Sequence, residues 1–173
     1  LKLIQNPTKI ISIYTVSELN IKFNARFFAK YRKYIYKTTF VKNPVDEEGV
    51  LFLYQTPDIA IMNQACKVLL AHTDFASFCK RTADNKTTIC DLMEAEWKME
   101  QGNLVFHVKA NRFLRNMVRA LVGTLLEIGN GKTRIEDLEA ILKSGERSKS
   151  GKSVAAKGLY LADIGYNWDE YRQ

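Results

Sequence analysis

Residues 113–132 read FLRNMVRALVGTLLEIGNGK, and the rest of the chain is best read outward from them. On a helical wheel Leu114, Met117, Val118, Leu121, Leu125 and Leu126 share one arc, which predicts a helix over 114–128 with one buried face. Gly129-Asn130-Gly131 then supplies residues suited to the left-handed turn that stops a helix. If the helix begins by Arg112, then Arg112, Arg115 and Arg119 stack on a second arc, with Gly123 one turn further on. A residue without a Cβ on that stripe lets a backbone or a ligand come close.

The flanking segments alternate between strand and helix signals. Residues 10–16 and the aromatic, β-branched run FNARFFAKYRKYIYKTTF (23–40) read as strands. A polar connection over 43–49 follows. Thr56 fits an N-cap with Pro57 at the first helical position, opening a helix to about residue 71 through Ile61, Ala65, Val68 and Leu69. Residues 88–99 and 104–110 form a predicted hairpin about Gln101-Gly102-Asn103. Thr133-Arg134-Ile135-Glu136 has the capping-box pattern ahead of a further helix carrying Leu138, Ile141 and Leu142. Residues 158–164 read as a last strand. The order β, β, α, β, β, α, α, β predicts an α+β fold: a mainly antiparallel sheet with helices packed on one face.

Composition sets the bounds. The 173 residues are 46% hydrophobic and 26% charged, a normal globular content that excludes disorder and disulfide-dense miniproteins. With three Pro and nine Gly there is no linker, so residues 1–173 are expected to form a single domain. Cys66, Cys79 and Cys90 are odd in number and widely spaced, which points to reduced intracellular thiols and against a structural zinc site. No apolar run approaches the roughly 18 residues a membrane helix needs. No signal peptide is expected, and a start at Leu1 rather than Met suggests a piece of something longer.

Net charge is +7, unevenly spread. Residues 1–42 hold nine basic and one acidic side chain, and residues 107–134 hold six and one. Residues 43–106 between them hold five and ten. Two basic segments around an acidic one describe a charged face, for which a polyanion is the first partner to consider. The arginine stripe fits phosphates or a carboxylate through its planar forks, and it equally fits a solubilising surface. Tyr31, Tyr34 and Tyr36 are interleaved with Lys30, Arg32, Lys33 and Lys37. Strand alternation puts Tyr34, Tyr36 and Arg32 on one face, where the tyrosines suit either base stacking or core packing. His72 and His107 have no matched partner, so neither a His-based acid/base pair nor a metal site is expected. Cys79 lies beside Lys80 and Arg81 but reads as an unreactive, partly buried thiol. Asp46-Glu47-Glu48 is consecutive, and so reads as a solvated loop. Gly129-Asn130-Gly131-Lys132 follows a helix rather than a strand and is no phosphate loop.

Four segments together resemble the tRNA pseudouridine synthase A (TruA) family. FLRNMVRALVGTLLEIGNGK (113–132), preceded by VKANRF (108–113), is similar to its F-x-R-x-M-V-R-x-L-V-G helix. FNARFFAKYRKYIY (23–36) is similar to its ARF and R-x-Y-x-Y segment, HTDFASF (72–78) to its DFxSF element, and AAKGLYLADIGY (155–166) to its closing G-L-x-L strand. The family's G-R-T-D-x-G-V-H motif, which carries its essential aspartate, does not occur here. In Arg81-Thr82-Ala83-Asp84 the alanine interrupts the pattern, so Asp84 is not taken as the nucleophile.

The resemblance implies the C-terminal, RNA-cleft half of an enzyme that isomerises uridine to pseudouridine at positions 38–40 of the tRNA anticodon stem-loop. Its N-terminal domain and nucleophile would be absent from this chain. It implies no cofactor and no metal, tRNA as partner, a homodimer, and a cytoplasmic setting. It assigns Arg119 to pair with the aspartate, Tyr34 to stack on the target uracil, and Leu159 to cover the other ring face. Arg32, Arg112 and Arg115 become RNA contacts. Alone, such a half is expected to be inactive. A non-catalytic RNA-binding module and a dimerisation domain with an incidental basic face are the other two readings.

Overall fold

The tyrosine-rich strand is the hub of the sheet. The structure is a computed structural model describing residues 16, 18–19, 22–42, 49–80 and 87–171. The expected strand at 10–16, the acidic triplet 46–48 and the segment 81–84 lie wholly or almost wholly outside those residues. Strand β1 (Tyr31–Thr39) pairs antiparallel with β4 (Asn103–Ala110) on one edge. Its other edge is shared between β5 (Leu159–Gly165), antiparallel, and the two-residue β2 (Leu51–Phe52), parallel. Strand β3 (Leu92–Glu100) lies beyond β4, giving the order β2-β1-β4-β3 with β5 beside β1. Four of the five strands are therefore linked antiparallel, and the fold is α+β as the sequence predicts.

Local chemistry explains most element ends. The β3–β4 turn is built on Gln101 at φ 50° and Gly102 at φ 80°, two consecutive left-handed residues that match the twist of a tight hairpin. Helix α1 (Ile59–Leu70) starts two residues later than the Thr56 cap predicts. Asp58 is the N-cap, its Oδ1 accepting from the Ile61 amide at 3.0 Å, an arrangement worth about 1 kcal/mol. Its own N–H donates to the Gly129 carbonyl at 2.8 Å, tying the start of α1 to the end of α2 (Met117–Gly129). The capping box at Thr133 does not form. Helix α3 (Asp137–Ser144) opens without a side-chain cap, and Arg134 pairs with Asp137 at 2.9 Å instead. Gly145 at φ 64° closes it.

Both long helices bury the same sheet face. Met62, Ala65, Cys66 and Leu69 of α1 and Leu121, Val122 and Leu125 of α2 pack over Ala95, Trp97, Phe106 and Val108. The free edge of β3 is covered by α1: the Asn63 amide both donates to the Trp97 carbonyl (3.1 Å) and accepts from its N–H (2.8 Å). The opposite face is polar. Glu94, Glu96 and Glu100 there meet Lys33 (3.0 Å), Lys98 (2.8 Å) and His107 (2.7 Å), so the acidic middle segment neutralises the back of the sheet. Among the described residues no helix is long and apolar enough to cross a membrane.

Candidate functional site

The arginines converge, but not as a helical stripe. Helix α2 starts at Met117, and Asn116 before it sits in the left-handed region at φ 67°. Residues 111–116 are thus a connection that wraps back over the end of β4, and Arg112 and Arg115 project from it rather than from the helix. Turn, connection, helix and sheet together line a cavity of about 410 Å³. The turn before β1 contributes Arg26 and β1 contributes Tyr34. The connection contributes Arg112, Phe113 and Arg115, the first turn of α2 Arg119, and the start of β5 Leu159.

Four arginines line one space whose lining includes no acidic residue. Among the described residues no carboxylate forms an ion pair with Arg26, Arg112, Arg115 or Arg119. Four like charges held together repel unless an anion joins them, so the lining favours an anion electrostatically. Two walls are apolar. The Tyr34 ring meets Phe113 edge to face, centroids 5.1 Å apart, which fixes the tyrosine's orientation. Leu159 enters from the neighbouring strand at the position paired with Tyr36. A flat ring fits between such walls.

The best-anchored cation is Arg119. Its Nε donates to the Val154 carbonyl at 2.7 Å, and the Val154 N–H donates to the Arg119 carbonyl at 3.2 Å. The segment carrying Val154 is itself clamped. Arg147 Nη1 donates to the Ser150 hydroxyl (2.7 Å) and the Gly151 carbonyl (3.0 Å), and its Nη2 donates to the Ser153 hydroxyl (2.7 Å). Asn116 also donates to the Ser153 hydroxyl. The Gly151 N–H donates to Thr124 Oγ1 at 2.8 Å. Gly123 makes this approach possible: a Cβ there would stand 1.9 Å from the Lys152 carbonyl oxygen. The close neighbour expected at Gly123 is therefore a backbone.

Beneath the cavity, Tyr36 is fully buried and its hydroxyl donates to the Ala155 carbonyl at 2.7 Å. Burial pushes its pKa up to about 12, with the Arg119 charge pulling the other way. It is a packing and anchoring residue. Arg32 does not line the cavity: its guanidinium donates to the carbonyls of Ala29 (3.0 Å), Asn111 (2.7 Å) and Arg26. His72, just past the end of α1, has its Nδ1 2.9 Å from the Val68 carbonyl of that helix and does not line the cavity. Cys79 is buried. Among the described residues no three His, Cys, Asp or Glu side chains gather as a metal site.

The sequence brings Tyr34, Arg112, Arg115, Arg119 and Leu159 forward, and the fold assembles all five. Sequence reasoning misses Arg26, Phe113 and the Arg147 clamp. Arg26 lies inside the ARF stretch with nothing there to give it a role, and Arg147 has no signal apart from the polar run around it.

The fold thus gathers four arginines, Tyr34, Phe113 and Leu159 about one cavity, a lining whose chemistry suits an anionic, ring-bearing ligand. Comparison with known proteins narrows this. Residues 65–167 match the family described as tRNA pseudouridine synthase. The chain belongs to that family. It is 42% identical to the tRNA pseudouridine synthase A of Azobacteroides pseudotrichonymphae, over 91% of this chain and 64% of that protein. It is likewise 42% identical to the proteins of the same name from Parabacteroides distasonis, over 91% and 63%, and Porphyromonas gingivalis, over 92% and 64%. The chain spans somewhat under two thirds of the length of these relatives. Arg112, Arg115, Arg119 and Leu159 lie within the matched family segment, whereas Arg26 and Tyr34 precede it.

Proposed function

We propose that this chain forms the arginine-lined side of a tRNA pseudouridine synthase site and acts on uridines of the anticodon stem-loop. The observation that carries the reading is the cavity itself: four arginines, no acid, and an aromatic and an aliphatic wall set for one flat base. Extruding a uridine from a stem-loop leaves its phosphates outside and its ring inside. Arg26, Arg112 and Arg115 take the phosphates, Tyr34 stacks on one face of the uracil, and Leu159 covers the other. Arg32 serves by holding the Arg26 carbonyl.

Arg119 pairs with a catalytic aspartate. Isomerisation needs the uracil freed from its ribose carbon and rejoined through carbon 5, so the aspartate must stay ionised and aimed beside a low-polarity ring. An anchored guanidinium does both. The family's G-R-T-D-x-G-V-H motif is absent from this sequence, and we assign the aspartate to the additional length that the relatives possess. The 173 residues then constitute one domain, inactive alone. The resemblance extends the proposal to a cofactor-independent homodimer working in the cytoplasm, and sedimentation equilibrium tests the dimer.

Pseudouridine mapping in tRNA treated with the protein in its full natural length tests the reaction. Arg119→Ala is expected to lower turnover by at least about 100-fold, the scale for losing one preorganised electrostatic partner. Undiminished turnover in that variant overturns the assignment. A non-catalytic RNA-binding role is favoured by the acid-free lining alone. It predicts that the full natural length binds tRNA and forms no pseudouridine.

A further inference from the structure

Beside the cavity stands a large apolar side chain that the fold does not bury. Phe27 is 77% exposed, and it follows directly on Arg26, whose guanidinium carbon lies 5.9 Å from the Phe27 ring centroid. Exposed aromatics are common on flexible loops, but this turn is braced on several sides. Asn24 Oδ1 accepts from the Arg26 amide at 3.0 Å, and the Asn24 carbonyl accepts from the amides of Phe27 (3.1 Å) and Phe28 (3.0 Å). Arg32 donates to the Arg26 carbonyl. The Tyr166 hydroxyl donates to the Ala25 carbonyl at 2.9 Å. The next ring, Phe28, is sunk into an aromatic cluster, 5.2 Å from Tyr171 and 5.3 Å from Phe23. A braced turn thus holds one ring out into water, next to a cation that faces the cavity.

We propose that Arg26 and Phe27 form a second nucleotide subsite: Phe27 stacks on the base next to the nucleotide in the cavity, and Arg26 takes the phosphate between them. The inference rests on the RNA reading of the cavity and deepens it. Its physical basis is that every base has a π face, so a rigid exposed ring beside a phosphate-binding cation is a sequence-tolerant platform. Preorganisation by Asn24, Arg32 and Tyr166 lowers the entropy lost when the base settles. The charge complement favours RNA over an apolar protein partner, because the ring's neighbour is an arginine with no carboxylate paired to it among the described residues.

The test is equilibrium binding of two probes, an unmodified tRNA anticodon stem-loop and inorganic polyphosphate, which has charge and no bases. Both are titrated against the protein in its full natural length. Phe27→Ala is expected to weaken stem-loop binding by roughly five-fold or more and leave polyphosphate binding unchanged. Phe27→Trp is expected to keep the affinity and to show an emission change with the stem-loop, and not with polyphosphate, that the unsubstituted protein lacks. Wild-type stem-loop affinity in Phe27→Ala overturns the proposal. An equal loss on both probes also overturns it, since the ring would then act only through the turn. Failure of the unsubstituted protein to prefer the stem-loop over polyphosphate would instead overturn the RNA reading beneath it.

Discussion

Three buried side chains of the core are held in their protonated forms by the fold. Tyr36 is pushed up to about 12 by burial, Cys66 to about 12 and Cys90 to about 11, against ordinary values of 10.0, 9.0 and 9.0. For all three the charged form is disfavoured in the folded chain. Their contribution to stability is fully present below about pH 8, where folded and unfolded forms are both protonated. It is lost as pH rises from there toward 12, because the unfolded chain ionises first. Urea midpoints are therefore expected to be flat from about pH 7 to 8 and to fall between about pH 8.5 and 11. Tyr36→Phe removes one hydrogen bond at neutral pH, costing about 1 kcal/mol, and makes the alkaline decline shallower above about pH 10. An unchanged alkaline slope in that variant contradicts the buried position of the hydroxyl.

At the scale of elements, the packing of α2 against residues 150–154 decides where Arg119 points. Helix propensity alone says that Gly123→Ala should stabilise α2 by about 1 kcal/mol. The structure reverses the sign. The new Cβ would stand 1.9 Å from the Lys152 oxygen, a backbone atom, and overpacking of this kind costs about 1–3 kcal/mol. Gly123→Ala is expected to lower Tm by several degrees and to weaken stem-loop binding, since Val154 and with it Arg119 must move. Gly102→Ala is the comparison: nothing lies within 4 Å, and only the left-handed φ of 80° opposes it, at about 1–2 kcal/mol, with RNA affinity unaffected. A Gly123→Ala protein as stable and as tightly binding as the original would contradict the account.

The same elements show what the sequence can reveal. Apolar spacing marks α1, α2 and the β3–β4 hairpin, because each buries a periodic face. It does not mark β2, whose two residues carry no period, nor the left-handed Asn116, since Asn tolerates that region but apolar spacing does not register it. Periodicity therefore places the start of α2 too early and groups the right arginines for the wrong geometric reason: a loop, rather than a helix face, gathers Arg112 and Arg115 with Arg119. Arg147 is illegible for a different cause. Its role depends on carbonyls at 150–151 that only the folded chain brings to it.

On the whole molecule, charge is separated by face. The back of the sheet holds paired acids and bases, while the cavity side holds four arginines with no pairing carboxylate among the described residues. The surplus of +7 thereby acquires a direction, and a polyanion approaching this protein is steered to one side. The central claim is that this side is where RNA binds. The measurement that tests it most directly is the salt dependence of anticodon stem-loop affinity in Arg112→Ala, Arg115→Ala and, from the opposite face, Lys98→Ala. Each arginine removed is expected to make the negative slope of log K against log salt shallower by about 0.7–0.9, the value for one phosphate no longer neutralised, while Lys98→Ala leaves it unchanged. Slopes that stay the same without the arginines, or that fall as much without Lys98, would contradict the account.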